Sequence, residues 1–410
     1  MPLCEIEEIV YQPEEEEDFR IVREDVYKRQ VLVRNVPAFG WKVAEPEKPQ
    51  GKIKVTGNTI ENQFFRVVLD QKGNMASIYD KRNGRELVKP GGCANELQVF
   101  EDFPRDYDAW EITNYYKQKM WTIDQVEACE PFFEGAAAGL KVTKKFLNST
   151  LIQKIYLYEG IDRIDIKTEA DWHERHVLLK AAFPLDLHAN RAAYEIQFGY
   201  LERPTHENTS WDKAKFEVCA HKWADISEDD YGVSLLNDCK YGYNAEGSTI
   251  KLTLLKCATF PNPEADQGRH SFVYSIYPHS GALSHKTVQQ AYLLNQPMSA
   301  WKAEAGDGSL PAEYSLVSCG SPSVIVETIK KAEDEDALIL RLYQSMNRRE
   351  CVELALGFTF EKAELCSMME EAWQPLEKDG DRIRPVSYTH LDVYKRQALG
   401  PAFAEIGKAR

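Results

Sequence analysis

Over most of the chain, apolar and polar residues alternate in short runs, and small turn-forming residues separate one run from the next. Phe64-Phe-Arg-Val-Val-Leu-Asp70 leads into Gln71-Lys-Gly-Asn74, then Met75-Ala-Ser-Ile-Tyr-Asp80, then Arg82-Asn-Gly-Arg85. Asn83-Gly84 is a hairpin signal, because both residues tolerate positive φ. The run 151–158, the turn Glu159-Gly160 and the run 163–167 repeat the pattern, as does 249–255 after Ala245-Glu-Gly247. A period of two puts alternate side chains on one face of a strand. Turns at such short intervals predict an antiparallel sandwich rather than parallel βα units. Helical periodicity is weak, and only 283–294 and 361–371 admit short helices.

Punctuation divides the chain further. Residues 31–50 read as the end of a small β module followed by the Pro-rich linker 44–51, and a second linker runs through 303–311. Between them, 51–310 is expected to form one large β super-sandwich. The runs 323–328, 337–343 and 351–356 read as strands of a smaller C-terminal β domain, 311–385. One hexapeptide, Asp25-Val-Tyr-Lys-Arg-Gln30, recurs letter for letter as Asp392 to Gln397. It is too short and too exact for a structural repeat. One back-translation of 386–397 is an almost complete inverted repeat, like two library adapter ends joined head to head. Residues 1–30 are therefore read as an uncertain segment ending in a sequencing scar, and 386–410 as a scar with an unrelated tail.

Charge narrows the function classes. Lys and Arg number 50 against 65 Asp and Glu, a net charge of -15 over 410 residues. Such a surface repels phosphate backbones and anionic headgroups, so neither nucleic acid nor membrane is expected as a partner. No apolar run approaches the roughly 18 residues of a membrane-spanning helix. The acidic N-terminus has no apolar leader segment, and the nine cysteines contain no Cys-x-x-Cys pair. Reduced thiols in a cytoplasmic protein are the expectation.

Four segments carry candidate chemistry. Trp172-His-Glu-Arg-His176 has its histidines at i and i+3, where two zinc ligands on a helix face need i and i+4. In 101–116, Asp102, Asp106 and Asp108 are interleaved with Trp110 and tyrosines. Carboxylates accept sugar hydroxyls and ring faces stack on C–H surfaces, so the residue types fit a sugar pocket. They fit equally an exposed acidic loop with Trp110 in the core. On a strand Asp106 and Asp108 would share a face, as an acid/base pair roughly 5–10 Å apart requires. Arg203-Pro-Thr-His206-Glu-Asn208-Thr-Ser-Trp211-Asp212 gathers a cation, an imidazole, an amide and an indole. Asp238 stands at the polar mouth of an apolar strand, and Arg269 lies in the charged turn 266–270. Cys239 has no identifiable histidine partner, and there is no Gly-rich phosphate loop or nucleophile elbow.

Read in order, Val36-Pro-Ala-Phe-Gly40, Glu61-Asn-Gln-Phe-Phe-Arg66, Ser77-Ile-Tyr-Asp80, Ala94-Asn-Glu-Leu97 and the Asp-Ala-Trp core of 101–112 form a longer pattern. It continues through Trp172-His-Glu, Tyr194-Glu-Ile-Gln-Phe-Gly199, 203–212, 237–242 and Thr328-Ile-Lys-Lys-Ala-Glu333. This pattern resembles the C-terminal β-rich half of a glycoside hydrolase family 38 α-mannosidase of the cytosolic and bacterial branch. The resemblance implies an all-β fold: a large antiparallel, galactose mutarotase-like super-sandwich with a smaller C-terminal β-sandwich. It also implies an N-terminal catalytic barrel with zinc, held by two histidines and two aspartates, and a nucleophilic aspartate. No residue of this chain matches those roles, so no catalytic or metal-binding residue is carried over. The implied activity is retaining release of mannose from mannose-containing oligosaccharides. The implied partners are those glycans and the N-terminal catalytic domain, with a homo-oligomer compatible. Asp102, Asp106, Asp108, Trp110, Arg203, His206, Asn208, Asp238 and Arg269 are the residues expected to face substrate. The alternative is a stand-alone, non-catalytic carbohydrate-binding β module. The family's last strand is expected to be missing after Pro385, leaving an unpaired sheet edge.

Overall fold

The computed structural model describes Val33 and residues 35–43, 50–301 and 310–384. It also gives the backbones of the strands Leu3–Ile6, Arg29–Leu32 and Ala404–Ala409. Strand alternation decides the architecture of the central part. In Ser149–Tyr158, Ser149, Leu151, Gln153 and Ile155 are buried, and the residues between them are only half-buried. In Thr249–Lys256, Ile250, Leu252 and Leu254 point inward. Such strands must pair edge to edge and then cover one face.

Three antiparallel sheets do this. A meander runs from Lys54–Thr56 through Phe65–Leu69 and Met75–Asp80 to Arg85–Glu86. A six-stranded sheet places Glu96–Glu101, Val177–Pro184 and Thr249–Lys256 side by side. A nine-stranded sheet is built round Ser149–Tyr158, Ile161–Trp172, Gly268–Ser280 and Tyr231–Asn237. Val67 and Ile78 of the meander, Leu97 and Phe183 of the six-stranded sheet, and Ile155, Ile166 and Leu235 of the nine-stranded one share a single apolar core. The expected all-β super-sandwich is the fold observed.

The expected turns sit between paired strands. Gly84 (φ 63°), Gly160 (φ 78°) and Gly247 (φ 57°) each occupy the left-handed region. Gly73 is required twice over. Its φ is 69°, and a Cβ there would lie 2.6 Å from Val142 Cγ1.

Polar groups inside the sandwich are paired. Asn95 Nδ2 donates to Gln153 Oε1 (3.0 Å), Gln153 Nε2 to Tyr274 Oη (2.7 Å), and Tyr274 Oη back to Asn95 Oδ1 (2.6 Å). This closed ring ties the six-stranded sheet to the nine-stranded one. Asp80, fully buried, holds the meander in place. It accepts from Arg82 Nε (3.0 Å) and Nη2 (2.9 Å), from Asn83 Nδ2 (3.0 Å) and from Tyr231 Oη (3.1 Å). Arg82 Nη2 also reaches Pro278 O (2.9 Å), and its Nη1 reaches Asp162 (2.7 Å).

The expected helix at 283–294 forms as His285–Asn295, with Ser284 as its N-cap. It packs Val288 and Ala291 on Trp223, Leu236 and Tyr277. The second expected helix does not form. Within 361–371 the chain makes the strand Glu364–Cys366 instead, with Ala363 and Cys366 buried. Pairing on both sides of that strand outweighs a weak local preference. The smaller C-terminal sheets enclose Val317, Leu340, Leu342, Leu354 and Ile383. Gly40–Lys42 pairs with Glu313–Ser315, and Trp41 stacks on Tyr314 at 4.6 Å.

Most of both hexapeptide copies lies outside the described residues; only the Arg29 and Gln30 backbones appear, in a strand paired with Leu3–Ile6. The slot expected to be vacant after Pro385 is filled. Ala404–Ala409 runs between Leu338–Gln344 and Glu364–Cys366. Backbone hydrogen bonding is indifferent to side-chain identity, and a gap flanked by unpaired groups accepts an extended segment.

Arg82→Ala should cost about 3 kcal/mol at pH 7, because it leaves a buried carboxylate without its cation. Burial alone would raise the Asp80 carboxyl, but the Arg82 and Asn83 hydrogen bonds hold it below the ordinary range. A lowered folded value stabilises above the unfolded one, near pH 4, and that contribution is lost as pH falls through the folded value. Urea unfolding at pH 7 and pH 3 should therefore show the gap between wild type and variant narrowing at the lower pH.

Candidate functional site

The strand Glu96–Glu101 ends at the rim of the six-stranded sheet, and the loop after it carries the candidate acidic and aromatic residues. Asp102 N–H donates to His176 O (2.8 Å), and the Asp102 side chain, 1% exposed, is ion-paired with Lys256. Burial lifts the Asp102 carboxyl above its usual range against the pull of Lys256. Asp108 is held from the segment after Thr249–Lys256. Its Oδ2 accepts from Thr259 N (2.7 Å), Phe260 N (3.2 Å) and Thr259 Oγ1 (3.2 Å). Burial would raise this carboxyl too, but the two backbone N–H groups and the hydroxyl bring it below the ordinary value. Two aspartates six residues apart are thus driven in opposite directions.

His176 completes the cluster. It has φ 54°, its ring stacks on Phe103 at 4.3 Å, and Nε2 lies 3.2 Å from Thr259 Oγ1. The Thr259 hydroxyl thus lies between Asp108 Oδ2 and His176 Nε2, and the imidazole tautomer sets which of the two its proton serves. His176 Nδ1 faces Asp108 Oδ1 across 4.0 Å. Asp102 Oδ1, Asp108 Oδ1 and His176 Nδ1 are all buried with no hydrogen-bond partner among the described residues.

Above this polar floor stands an exposed aromatic rim: Phe103, Tyr107, Trp110 and Phe260, each more than half exposed. Trp110 is not in the core, as the alternative reading of this loop had it. The Asp106 and Asp108 side chains do not share a face either. Tyr107 between them takes φ 55°, which breaks the strand alternation. Asp106 stays at the surface, 3.8 Å from Arg105, while Asp108 turns in to Thr259. An acid/base pair of these two is not what the geometry offers.

The other candidates are held elsewhere. Arg203, on Gly199–Pro204, lies 5.5 Å over the Tyr194 ring, with Nη1 buried and unpartnered. His206 and Asn208 are exposed in the turn before the short helix Ser210–Lys213. His206 lies 3.8 Å from Asp212, and Thr209 Oγ1 caps that helix through Asp212 N. Asp238 accepts from Val273 N (3.0 Å) and joins two strands of the nine-stranded sheet. Arg269 is exposed on Gly268–Ser280, opposite Asp171. The structure therefore gathers Asp102 and Asp108, and adds His176, Lys256 and Thr259, which sequence reasoning did not assign. The prolines of Phe260-Pro-Asn-Pro263 mark a turn, but no spacing rule links it to Asp108, 151 residues before Thr259.

Comparison with known proteins agrees with this architecture. The family described as "Glycosyl hydrolases family 38 C-terminal domain" matches residues 60–264, and "Glycosyl hydrolases family 38 C-terminal beta sandwich domain" matches residues 323–394. Over 337 residues the chain is 38% identical to "Alpha-mannosidase 2C1" of Homo sapiens, covering 79% of this chain and 32% of that protein. "Alpha-mannosidase G" of Dictyostelium discoideum is 38% identical over 295 residues, covering 70% of this chain and 27% of that one. The chain thus spans about a third of the length of the curated relatives it matches. A crystal structure of a glycosyl hydrolase family 38 protein from Enterococcus faecalis shares the fold. Its TM-score is 0.67 at 16% identity, covering 84% of this chain and 46% of that one. By sequence and by fold, the chain belongs to glycoside hydrolase family 38, of which it carries the C-terminal β domains.

Proposed function

We propose that this chain is the C-terminal β portion of a cytoplasmic α-mannosidase that releases mannose from oligosaccharides with retention. The 38% identity to "Alpha-mannosidase 2C1" across 79% of the chain carries the reading. Retaining hydrolysis needs a nucleophile and an acid/base partner flanking the glycosidic bond. In this reading both belong to the part of the relatives' length that the chain does not span.

Zinc is the cofactor the family implies, and the residues here do not fit it. Among the described residues no three His, Cys, Asp or Glu side chains converge as a ligand set. His173 Nε2 is paired with Asp171 at 3.0 Å, and the His176 ring is stacked on Phe103. No step is assigned to a metal held by this chain.

What these residues can supply is a wall for the glycan. Ring faces of Trp110, Tyr107 and Phe260 would pack on pyranose C–H surfaces, and Asp106 is free to accept a hydroxyl. Asp108 and the Asp102–Lys256 pair would fix the loop behind them. Arg203, His206, Asn208, Asp238 and Arg269, held outside this cluster, complete the proposed substrate-facing set.

The purified chain alone should hydrolyse no p-nitrophenyl α-mannoside, and metal analysis should find zinc far below one ion per chain. Turnover by the chain alone would count against this division of labour. In a full-length enzyme carrying this portion, Trp110→Ala should raise KM about tenfold, equivalent to ~1.4 kcal/mol, with kcat nearly unchanged. An unaltered KM would remove the aromatic rim from the substrate path. Asp108→Ala, which frees two backbone N–H groups, should also lower the urea midpoint, at a cost of about 1–3 kcal/mol.

A further inference from the structure

The face of the six-stranded sheet turned away from the core carries a second organised feature. Strand register sets Glu96 opposite Ala182 and Ala182 opposite Lys251, with Gln98 two residues along the first strand. By alternation these side chains share a face, while Leu97, Ala181 and Leu252 enter the core. The turn Asp70–Asn74 and the Gly91-Gly92 loop rise beside them and enclose a cleft of about 640 Å³. That is within the range of sites for small organic ligands.

Its polar groups are unevenly committed. Asp70 is largely committed: Oδ1 accepts from Lys72 N and Asn74 N (both 2.9 Å), and Oδ2 from Cys93 Sγ (3.4 Å). Lys72 is paired with Asp124 at 2.8 Å. Gln98 is only 8% exposed; its Nε2 donates to Glu96 Oε2 at 2.6 Å, and its Oε1 is buried without a donor. A buried acceptor with no partner is a rare and unfavourable feature unless something outside the chain supplies the proton. Lys251 is its complement. Its ammonium lies 5.2 Å from the Phe100 ring and makes no ion pair among the described residues. Burial, and after it the charge of Lys180, lower its pKa.

Gln98 Oε1 is thus a buried acceptor without a donor and Lys251 an ammonium without a counter-ion, and Glu96 Oε1 and the Thr249 hydroxyl, also in the lining, carry no hydrogen bond among the described residues. The cleft's two carboxylates, Asp70 and Glu96, balance its two ammonium groups, Lys72 and Lys251. The lining is therefore formally neutral, and a neutral ligand brings no unbalanced charge into it. A ligand dense in hydroxyl groups suits it, because each hydroxyl both donates and accepts. No aromatic side chain lines the cleft, so recognition would run through hydrogen bonds, aided only by the apolar edges of Ala182 and Pro184. We propose that this cleft binds a neutral polyhydroxylated ligand, of about one to two sugar rings, through Gln98 Oε1 and Lys251 Nζ. The inference does not depend on whether the longer protein hydrolyses mannosides.

Saturation-transfer NMR and calorimetry on the whole chain test it, with mannobiose and cellobiose as neutral probes and glucuronate and glucosamine as charged ones. The expected result is millimolar binding of at least one disaccharide, weakened tenfold or more by Gln98→Leu and by Lys251→Met. Neither charged sugar should bind more tightly. Gln98→Leu should also raise Tm, since it removes an unpaired buried acceptor. If Gln98→Leu fails to fold, Lys251→Met carries the binding test alone. No transfer to either disaccharide by the folded wild-type chain would overturn the proposal. So would unchanged affinity in the folded variants, or tighter binding of a charged sugar.

Discussion

The apolar layer shared by the six- and nine-stranded sheets is the constraint on which the rest of the molecule depends. The strands crossing it spend alternate residues on that layer, so the residues between must face outward, find polar partners or take a second apolar cover, as Leu236 and Tyr277 do beneath His285–Asn295. The Asn95, Gln153 and Tyr274 ring shows the demand inside the layer, where each polar group gives and receives within a closed set. The cleft above Gln98 shows the same demand on the outer face, where one acceptor is left without a donor. Because such groups are costly when unpaired, the sheets hold their register tightly: a one-residue slip would exchange the two faces.

The loops at the strand ends inherit that rigidity. Asp102 follows directly on a core strand and is pulled in by Lys256 at the end of Thr249–Lys256, across the intervening strand Val177–Pro184. Asp108 is anchored on the backbone of residues 259 and 260, just beyond Thr249–Lys256. The two carboxylates act as struts under the aromatic rim, and their opposite shifts reflect what surrounds them. Asp102 meets burial that one ammonium does not overcome, whereas Asp108 meets N–H dipoles aimed at one oxygen. A rigid floor beneath exposed rings suits recognition of a ligand that must be oriented without the loop being ordered anew at each encounter.

The smaller C-terminal sheets meet the central body at the helix His285–Asn295 and beside Gly199–Pro204, where Phe198 packs on Tyr343 and Asn347 Nδ2 donates to Tyr200 O (2.9 Å). His285–Asn295 places Val288 and Ala291 on the nine-stranded sheet. From the same helix Tyr292 hydrogen-bonds to Tyr343 at 2.9 Å and to Glu327. Gly40–Lys42 adds a strand beside Glu313–Ser315, more than 270 residues away in sequence.

What the sequence determined by itself was local. Period-two patterning, Asn83-Gly84, Glu159-Gly160 and Ala245-Glu-Gly247 settled strands and turns, because each depends on a residue and its near neighbours. The helix at 285–295 was legible for the same reason. The extended run of matching segments made the family readable, since order along the chain needs no contact map. Tertiary structure decided the rest. The strand Glu364–Cys366 exists because partners flank it, and the loop 101–116 exposes Trp110 and separates Asp106 from Asp108 because Tyr107 turns left-handed. His176, Thr259 and Lys256 meet Asp108 and Asp102 across 68 to 154 residues of chain. No local pattern encodes such meetings; they follow from which strands lie side by side, and that is settled only when the sheets close over their common core.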